Sequence, residues 1–244
     1  MDVTLSLVIP AYNESRRLPP FLTSVRAHLE GQYPGRYEVI VVDDGSRDGL
    51  ADLLPPLSAV WPELTLIRHG ENQGKGAAVR SGMLAARGSL LLFADADGAA
   101  PIRQQTKLAA SIAAGADVAV GSRLTAASGV KRRRTLFRGL LGRLFAATAR
   151  RWLDISVRDT QCGFKMFRRD AGRRLFELGR ETGYLFDLEL LGWAERTGLR
   201  VVEVPIDWAD VPGGHFNPWH ELPSVLPGLL RLRRRLRPSS DSPP

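Results

Sequence analysis

A lone cysteine, Cys162, stands in 244 residues, so no internal disulfide staples this chain. Four histidines without any Cys/His spacing pattern argue against a zinc site. No uncharged apolar run approaches the roughly 18–20 residues that cross a bilayer. Met1 leads almost directly into an alternating apolar run, without the cationic start, apolar core and small-residue cleavage site of a leader. These absences predict a cytosolic protein, with attachment at the cytoplasmic face of a membrane left open. Nucleotide motifs are missing too. Gly70 and Gly74 are separated by three residues where a P-loop needs four, and Lys75 is followed by Gly76 instead of Ser or Thr. No Gly-x-Gly-x-x-Gly follows the first apolar run, and no Gly-x-Ser-x-Gly elbow occurs. Acidic residues are absent from Arg123 to Arg151, which holds nine basic ones: Arg123, Lys131, Arg132, Arg133, Arg134, Arg138, Arg143, Arg150 and Arg151. The other 25 basic residues face 26 acidic ones, so this stretch carries the whole formal charge of +8. A second cluster, Arg231, Arg233, Arg234, Arg235 and Arg237, follows the apolar run Leu222–Leu230. Such patches attract phosphates of nucleic acid, lipid head groups or small substrates, unless they are simply solvated faces.

What remains is an ordinary globular composition, 44% hydrophobic and 25% charged, at a length that suits one compact domain or a domain with a small appendage. Short, nearly all-apolar runs at Leu5–Ile9, Tyr37–Val42, Leu64–Ile67, Ser89–Ala94 and Asp117–Val120 read as strands. Between them, helical spacing is found at Ser15–Glu30, Asp48–Val60 and Gly76–Arg87, and Pro101 suits the first turn of another helix. This alternation predicts an α/β fold with a mostly parallel central sheet and helices on both faces. Further strands are expected at Gly163–Phe167 and Leu199–Val204, with a helix at Phe186–Thr197. Amphipathic basic segments lie toward the C-terminal half, one of them at Leu136–Phe145, whose apolar stripe suits either a lipid surface or the sheet. Pro223 and Pro227 are expected to break the early part of the last such segment. The expected organisation is a main α/β domain over 1–210 containing the basic segment 123–151, an amphipathic basic segment over 211–237, and a tail at 238–244 of disordered composition.

In open α/β sheets ligands bind outside the carboxyl ends of the strands. Three strand ends here carry polar clusters: Ala11-Tyr12-Asn13-Glu14, Asp43-Asp44-Gly45-Ser46 and Asp95-Ala96-Asp97. Carboxylates gathered in one crevice repel unless a cation or sugar hydroxyls offset them. Asp48, by contrast, is well placed to cap a helix. On an extended segment the side chains of Asp95 and Asp97 point to opposite sides, so one can meet a metal while the other reaches a sugar. Oxygen ligands of this kind favour Mg²⁺ or Mn²⁺ bound through one or two carboxylates and substrate phosphates. Lys75, at a helix start, is either a phosphate contact or a surface lysine. Asp187 and Glu189, two apart on a helix, face different ways: one a candidate for sugar hydroxyls, the other structural. Cys162 reads as a small packed residue.

Taken in order, Val8-Ile9-Pro10-Ala11-Tyr12-Asn13-Glu14, Val41-Val42-Asp43-Asp44-Gly45-Ser46, Asn72-Gln73-Gly74-Lys75-Gly76-Ala77-Ala78 and Asp95-Ala96-Asp97 resemble the family-2 glycosyltransferases of GT-A fold. Val120-Gly121-Ser122-Arg123, Arg158-Asp159-Thr160-Gln161-Cys162-Gly163-Phe164-Lys165 and Phe186-Asp187-Leu188-Glu189-Leu190 resemble the dolichyl-phosphate sugar synthases, closest to the β-glucosyltransferase branch. The likeness spans residues 4 to 208. The eukaryotic members begin with a membrane-spanning helix, and this sequence holds no such run. Ala99 stands where the mannosyl branch has a metal-supporting Gln.

The resemblance implies transfer of a hexose, with inversion, from a nucleotide sugar to a polyprenyl (dolichyl) phosphate. UDP-glucose is the implied donor and GDP-mannose the reserve. Asp97 and Asp95 would hold Mg²⁺ or Mn²⁺. Pro10, Ala11, Tyr12, Glu14, Asp43, Asp44, Lys75 and Asp95 would line the nucleotide-sugar site, with Asp95, Asp97, Arg123 and Gln161 as the catalytic set. Arg123, Arg132 and Arg134 would hold the acceptor phosphate, since arginine suits bidentate phosphate contact. An anionic membrane surface is the expected partner. Two rivals stay open: a polysaccharide glycosyltransferase acting on a sugar hydroxyl, which would need Asp187 or Glu189 as base, and a basic nucleic-acid-binding module. The second leaves the acids without a purpose, so no nucleic acid is expected.

Overall fold

Strands β1 (Leu5–Ala11), β2 (Tyr37–Asp43), β3 (Leu64–Arg68) and β4 (Leu90–Ala94) alternate with helices α1 (Leu18–Gln32), α2 (Leu50–Ala59) and α3 (Lys75–Ala85) in a computed structural model. A short 3₁₀ turn leads to α4 (Gln105–Ala113), β5 (Val118–Ser122) and the two-residue β6 (Val130–Lys131). Then come a helical piece, α5, at 148–152, β7 (Phe164–Arg168), α6 (Arg169–Leu178) and α7 (Phe186–Arg196). Strand β8 (Val201–Pro205), the short β9 (Trp208–Ala209) and α8 (Pro218–Arg235) complete the order. The structure describes residues 2–124, 130–131, 148–209, 211 and 218–236. Arg132, Arg134, the run Leu136–Phe145 and the tail 238–244 lie outside the described residues.

The seven-stranded sheet has the order β3-β2-β1-β4-β7-β5-β8. All of its pairings are parallel except those of β7, which runs antiparallel to both β4 and β5. Leu5, Leu7 and Ile9 of β1 face one core with α1 and α2, while Val8 faces the other with α3. Burial on both faces is why these strands read as continuous apolar runs. Pro10 was expected to end β1 but lies inside it. Its neighbour on the β4 side is already gone, because that ladder stops at Val8–Phe93 while pairing with β2 continues to Ala11–Asp43. A proline without an N–H is tolerated there.

Other boundaries move for local reasons. The helix expected from Ser15 starts at Leu18, after the Glu14 carbonyl accepts the Arg17 and Leu18 N–H groups. Asp48 accepts the Leu50 N–H at 3.2 Å, so it does serve the start of α2. Helix α6 was not anticipated. Its apolar stripe is thin, with Ala171, Leu175 and Phe176 buried between exposed Arg173, Arg174 and Glu177. Helix α8 runs through Pro223 and Pro227 without a break, which corrects the expected interruption. Its later turns bury Leu229 and Leu232, and Leu236 just beyond is also buried, in the same core that α3 covers. That burial helps to offset a helix interior that proline disfavours.

Candidate active site

The chain runs outward from β1 to β2 and β3, then returns to place β4 on the other side of β1. This reversal opens a crevice beyond the carboxyl ends of β1 and β4. Asp95 and Asp97 follow β4 directly, and Tyr12 to Glu14 follow β1. The Asp95 N–H donates to the Gly163 carbonyl at 3.0 Å, tying the loop to the antiparallel start of β7. Gly163 is required there, since a Cβ would fall on the Asp95 carboxylate.

Lys75, the first residue of α3, reaches across to Asp95, with Nζ 2.6 Å from Oδ1. Burial alone would lower the Lys75 ammonium, but the charges of Asp95 and Asp187 outweigh it and hold the group protonated. Asp97 Oδ1 accepts the Ala99 N–H at 3.0 Å, and Oδ2 lies 3.8 Å from Arg17 Nη1. Burial, and then the neighbouring charge of Asp95, push the Asp97 carboxyl above its ordinary range. Arg17 is clamped to Glu14 through Nε at 2.7 Å and through Nη2, while its buried Nη1 makes no hydrogen bond. Tyr12 is 38% exposed just beyond β1, and Pro10 and Ala11 are buried at the strand's end.

Several expected contacts have other work. Asp44 accepts the N–H groups of Gln73 at 3.0 Å and Gly74 at 2.8 Å, and its Oδ1 meets His69 Nδ1 at 2.7 Å. Its carboxylate therefore orders the loop before α3. Asp43 is fully buried, takes the Ser46 N–H at 2.9 Å and lies 3.5 Å from Arg68 Nε.

Arg123, at the end of β5, donates from Nε at 2.8 Å and Nη2 at 2.6 Å to the Asp159 carboxylate, with its guanidinium over the Trp208 ring. Burial pushes Asp159 up, but the hydrogen bond and charge of Arg123 outweigh it and hold the carboxyl below its ordinary range. Trp208 belongs to β9, which pairs with β6 at Val130 and Lys131, and the Ala209 N–H donates to the Ala99 carbonyl at 2.9 Å. The backbone at Lys131, directly before Arg132 in sequence, thus pairs with the residue that bonds Ala99, two positions beyond Asp97. Gln161 is exposed in the loop before β7.

Asp187 and Glu189 separate as their spacing implies. Asp187 is buried with Oδ1 2.6 Å from Lys165 Nζ, which also donates to the Cys162 carbonyl at 2.6 Å. Glu189 is buried and accepts the backbone N–H groups of Arg180 and Glu181. Residues at the site to which the sequence assigned no role are Arg17, Asp159 as the partner of Arg123, and Lys165 as the partner of Asp187. A lysine inside the apolar run Phe164–Phe167 was itself the signal, because a buried ammonium needs a partner. Cys162 is buried and its thiol pushed up to about 12.

Among the described residues, no group of three or more His, Cys, Asp or Glu could hold a metal by itself. Asp95 and Asp97 do fit a hard cation that takes its other oxygens from substrate. Burial and then the charge of Asp95 hold the Asp97 carboxyl above its ordinary range, a cost that a cation there would offset, while the buried Arg17 N–H without a hydrogen bond suits an anionic oxygen beside it. No helix among the described residues is long and apolar enough to cross a membrane.

The model of glycosyl transferase family 2 matches residues 6–176. The chain is 39% identical over 230 residues to a dolichyl-phosphate beta-glucosyltransferase of Drosophila melanogaster, covering 89% of this chain and 71% of that protein. It is 35% identical over 234 residues to one of Saccharomyces cerevisiae, covering 87% and 69%. Among solved structures, glucosyl-3-phosphoglycerate synthase from Mycobacterium tuberculosis, in complex with Mn²⁺, UDP and glucosyl-3-phosphoglycerate, superposes with a TM-score of 0.65 at 21% identity. That match covers 98% of this chain and 82% of the synthase, and it supports the GT-A fold. With the family model spanning most of the chain and relatives this similar along it, the protein belongs to glycosyl transferase family 2 and is a hexosyltransferase.

Proposed function

We propose that the protein transfers glucose from UDP-glucose to the phosphate of a polyprenyl lipid, inverting the anomeric carbon. The observation that carries this reading is the state of the two candidate bases. An acceptor hydroxyl needs a general base within reach of its proton. Asp187 is buried against Lys165, and Glu189 is occupied by two backbone N–H groups and Arg235. A phosphate monoester needs no base, because its second pKa is about 6 and it is already an anion at neutral pH. The kinship with dolichyl-phosphate beta-glucosyltransferases favours the same acceptor and the same sugar.

Asp95 and Asp97 would hold Mg²⁺ or Mn²⁺, which neutralises charge developing on the departing diphosphate. Lys75, kept protonated beside Asp95, supplies a further cation on that side. Tyr12 and the ends of β1 and β2 bound the nucleoside end of the crevice. On the acceptor side Arg123 is braced by Asp159, which fixes its guanidinium plane, and the basic run begins at the strand pair β6–β9 beside it. The same basic segments, with α8, would rest on an anionic cytoplasmic membrane surface, an attraction that salt weakens.

The deciding experiment incubates the protein with a polyprenyl phosphate, Mg²⁺ or Mn²⁺, and either UDP-glucose or GDP-mannose, and weighs the lipid product. A glucosylated lipid phosphate from UDP-glucose alone is expected. Glucose appearing on a sugar hydroxyl, or mannose on the lipid, would overturn the assignment of acceptor or donor respectively.

A further inference from the structure

Glu189 is an acid that the crevice does not use, yet it is 1% exposed and fully engaged. Its Oε2 accepts the N–H groups of Arg180 and Glu181, each at 2.7 Å. Its Oε1 lies 3.0 Å from Arg235 Nη1, in the last turn of α8. The same guanidinium reaches Glu181 Oε1 at 3.3 Å, and Arg231 stands 4.0 Å from that oxygen. The C-terminal helix therefore holds the segment between α6 and α7 through one buried carboxylate.

That segment is the wall on which the start of α3 is built. The Thr182 carbonyl accepts the Ala77 N–H at 3.2 Å. A Cβ on Gly74 would stand 2.5 Å from the Thr182 oxygen, and one on Gly76 would stand 2.5 Å from the Glu181 oxygen. Backbone packed this closely leaves no room for one side to shift without the other. From there the contacts enter the crevice directly: Gly74 N–H to Asp44 at 2.8 Å, and Lys75 Nζ to Asp95 at 2.6 Å.

We propose that α8 is a clasp on the nucleotide-sugar site. Arg235, acting through Glu189 and the backbone of 180–182, is a positioning residue that sets Lys75 and the loop before it for the donor diphosphate. This rests on the reading of the crevice as the donor site. The clasp is separable from helix docking itself. Helix α8 is anchored by buried Leu229 and Leu232, and by buried Leu236 after its last turn, whose carbonyl accepts from Arg196 Nε. Arg235 is 38% exposed, so truncating it leaves that anchorage in place. What changes is the buried Glu189 charge, which loses its counterion and is drawn toward water, releasing the two amides.

The test compares Arg235→Ala and Arg235→Lys with the unaltered full chain. Hydrogen exchange is read at the amides of Arg180, Glu181 and Ala77, and KM and kcat are measured for UDP-glucose with a polyprenyl phosphate. Arg235→Ala should speed exchange at all three amides and raise the donor KM roughly tenfold, with kcat within about twofold. Arg235→Lys should recover most of both effects. Unchanged exchange at the three amides overturns the clasp, and so does faster exchange with an unaltered donor KM. A loss confined to kcat, or one matched by a general fall in thermal midpoint, also overturns it. Should UDP-glucose give no turnover with the unaltered chain, the donor reading fails by itself, and the exchange measurements still decide the clasp.

Discussion

Lys165→Met should destabilise the protein by about 4 kcal/mol at pH 7 and by less than about 2 kcal/mol at pH 5. Lys165 is fully buried, with Nζ 2.6 Å from Asp187 Oδ1 and above the Phe93 ring. Methionine fills similar space but leaves the Asp187 carboxylate without its nearest cation. Burial already pushes Asp187 above its ordinary value of 3.8, and Lys165 and then Lys75 are what oppose that. Without Lys165 the folded state escapes a bare buried charge by keeping the proton. Holding that proton costs about 1.4 kcal/mol for each pH unit above 3.8, which at pH 7 comes to about 4 kcal/mol. The sign follows from the raised folded-state pKa. The variant binds a proton that its unfolded chain releases, so its stability is present at low pH and lost as pH rises through that pKa. Urea unfolding at pH 5, 6, 7 and 8 reads the slope directly. Thermal midpoints at pH 7 should fall by about 8–16 °C at this chain length. Lys165→Met/Asp187→Leu should regain most of the loss, because a buried pair replaced by apolar groups is often neutral. A deficit that does not vary with pH, or one below about 1 kcal/mol at pH 7, would refute the reasoning.

Gly163→Ala places a methyl on the Asp95 carboxylate, and should cut kcat about a hundredfold while far-ultraviolet circular dichroism stays unchanged. Asp159→Asn removes a carboxyl that Arg123 holds below its ordinary range. The wild type draws stability from it above about pH 4 and loses that as pH falls further, so the variant should show a flatter acid unfolding profile. With its thiol at about 12, Cys162 should be thiolate to only about one part in 10⁴ at pH 8. Mass spectrometry should find no iodoacetamide adduct on the native protein and complete labelling in urea. Asp97→Asn should weaken Mn²⁺ binding in the presence of UDP, read by calorimetry, by roughly tenfold or more.

Much of the scaffold is written locally. Apolar runs such as Tyr37–Val42 form strands wherever they are buried on both faces, and the acids that follow β2 and β4 mark strand ends by position alone. Such features depend on neighbours a few residues apart, so the chain order by itself assigns Asp43-Asp44-Gly45-Ser46 and Asp95-Ala96-Asp97 to one sheet edge. Tertiary structure alone decided which charges meet. Lys75 finds Asp95, Arg123 finds Asp159, Lys165 finds Asp187, and Arg235 finds Glu189 across 46 positions. The antiparallel placement of β7 between β4 and β5 is equally invisible to periodicity, and it brings Gly163 against Asp95 and Lys165 beneath α7. Burial is the physical reason for this division. An apolar run declares its own preference, whereas a buried charge takes whatever partner the packed elements carry to it.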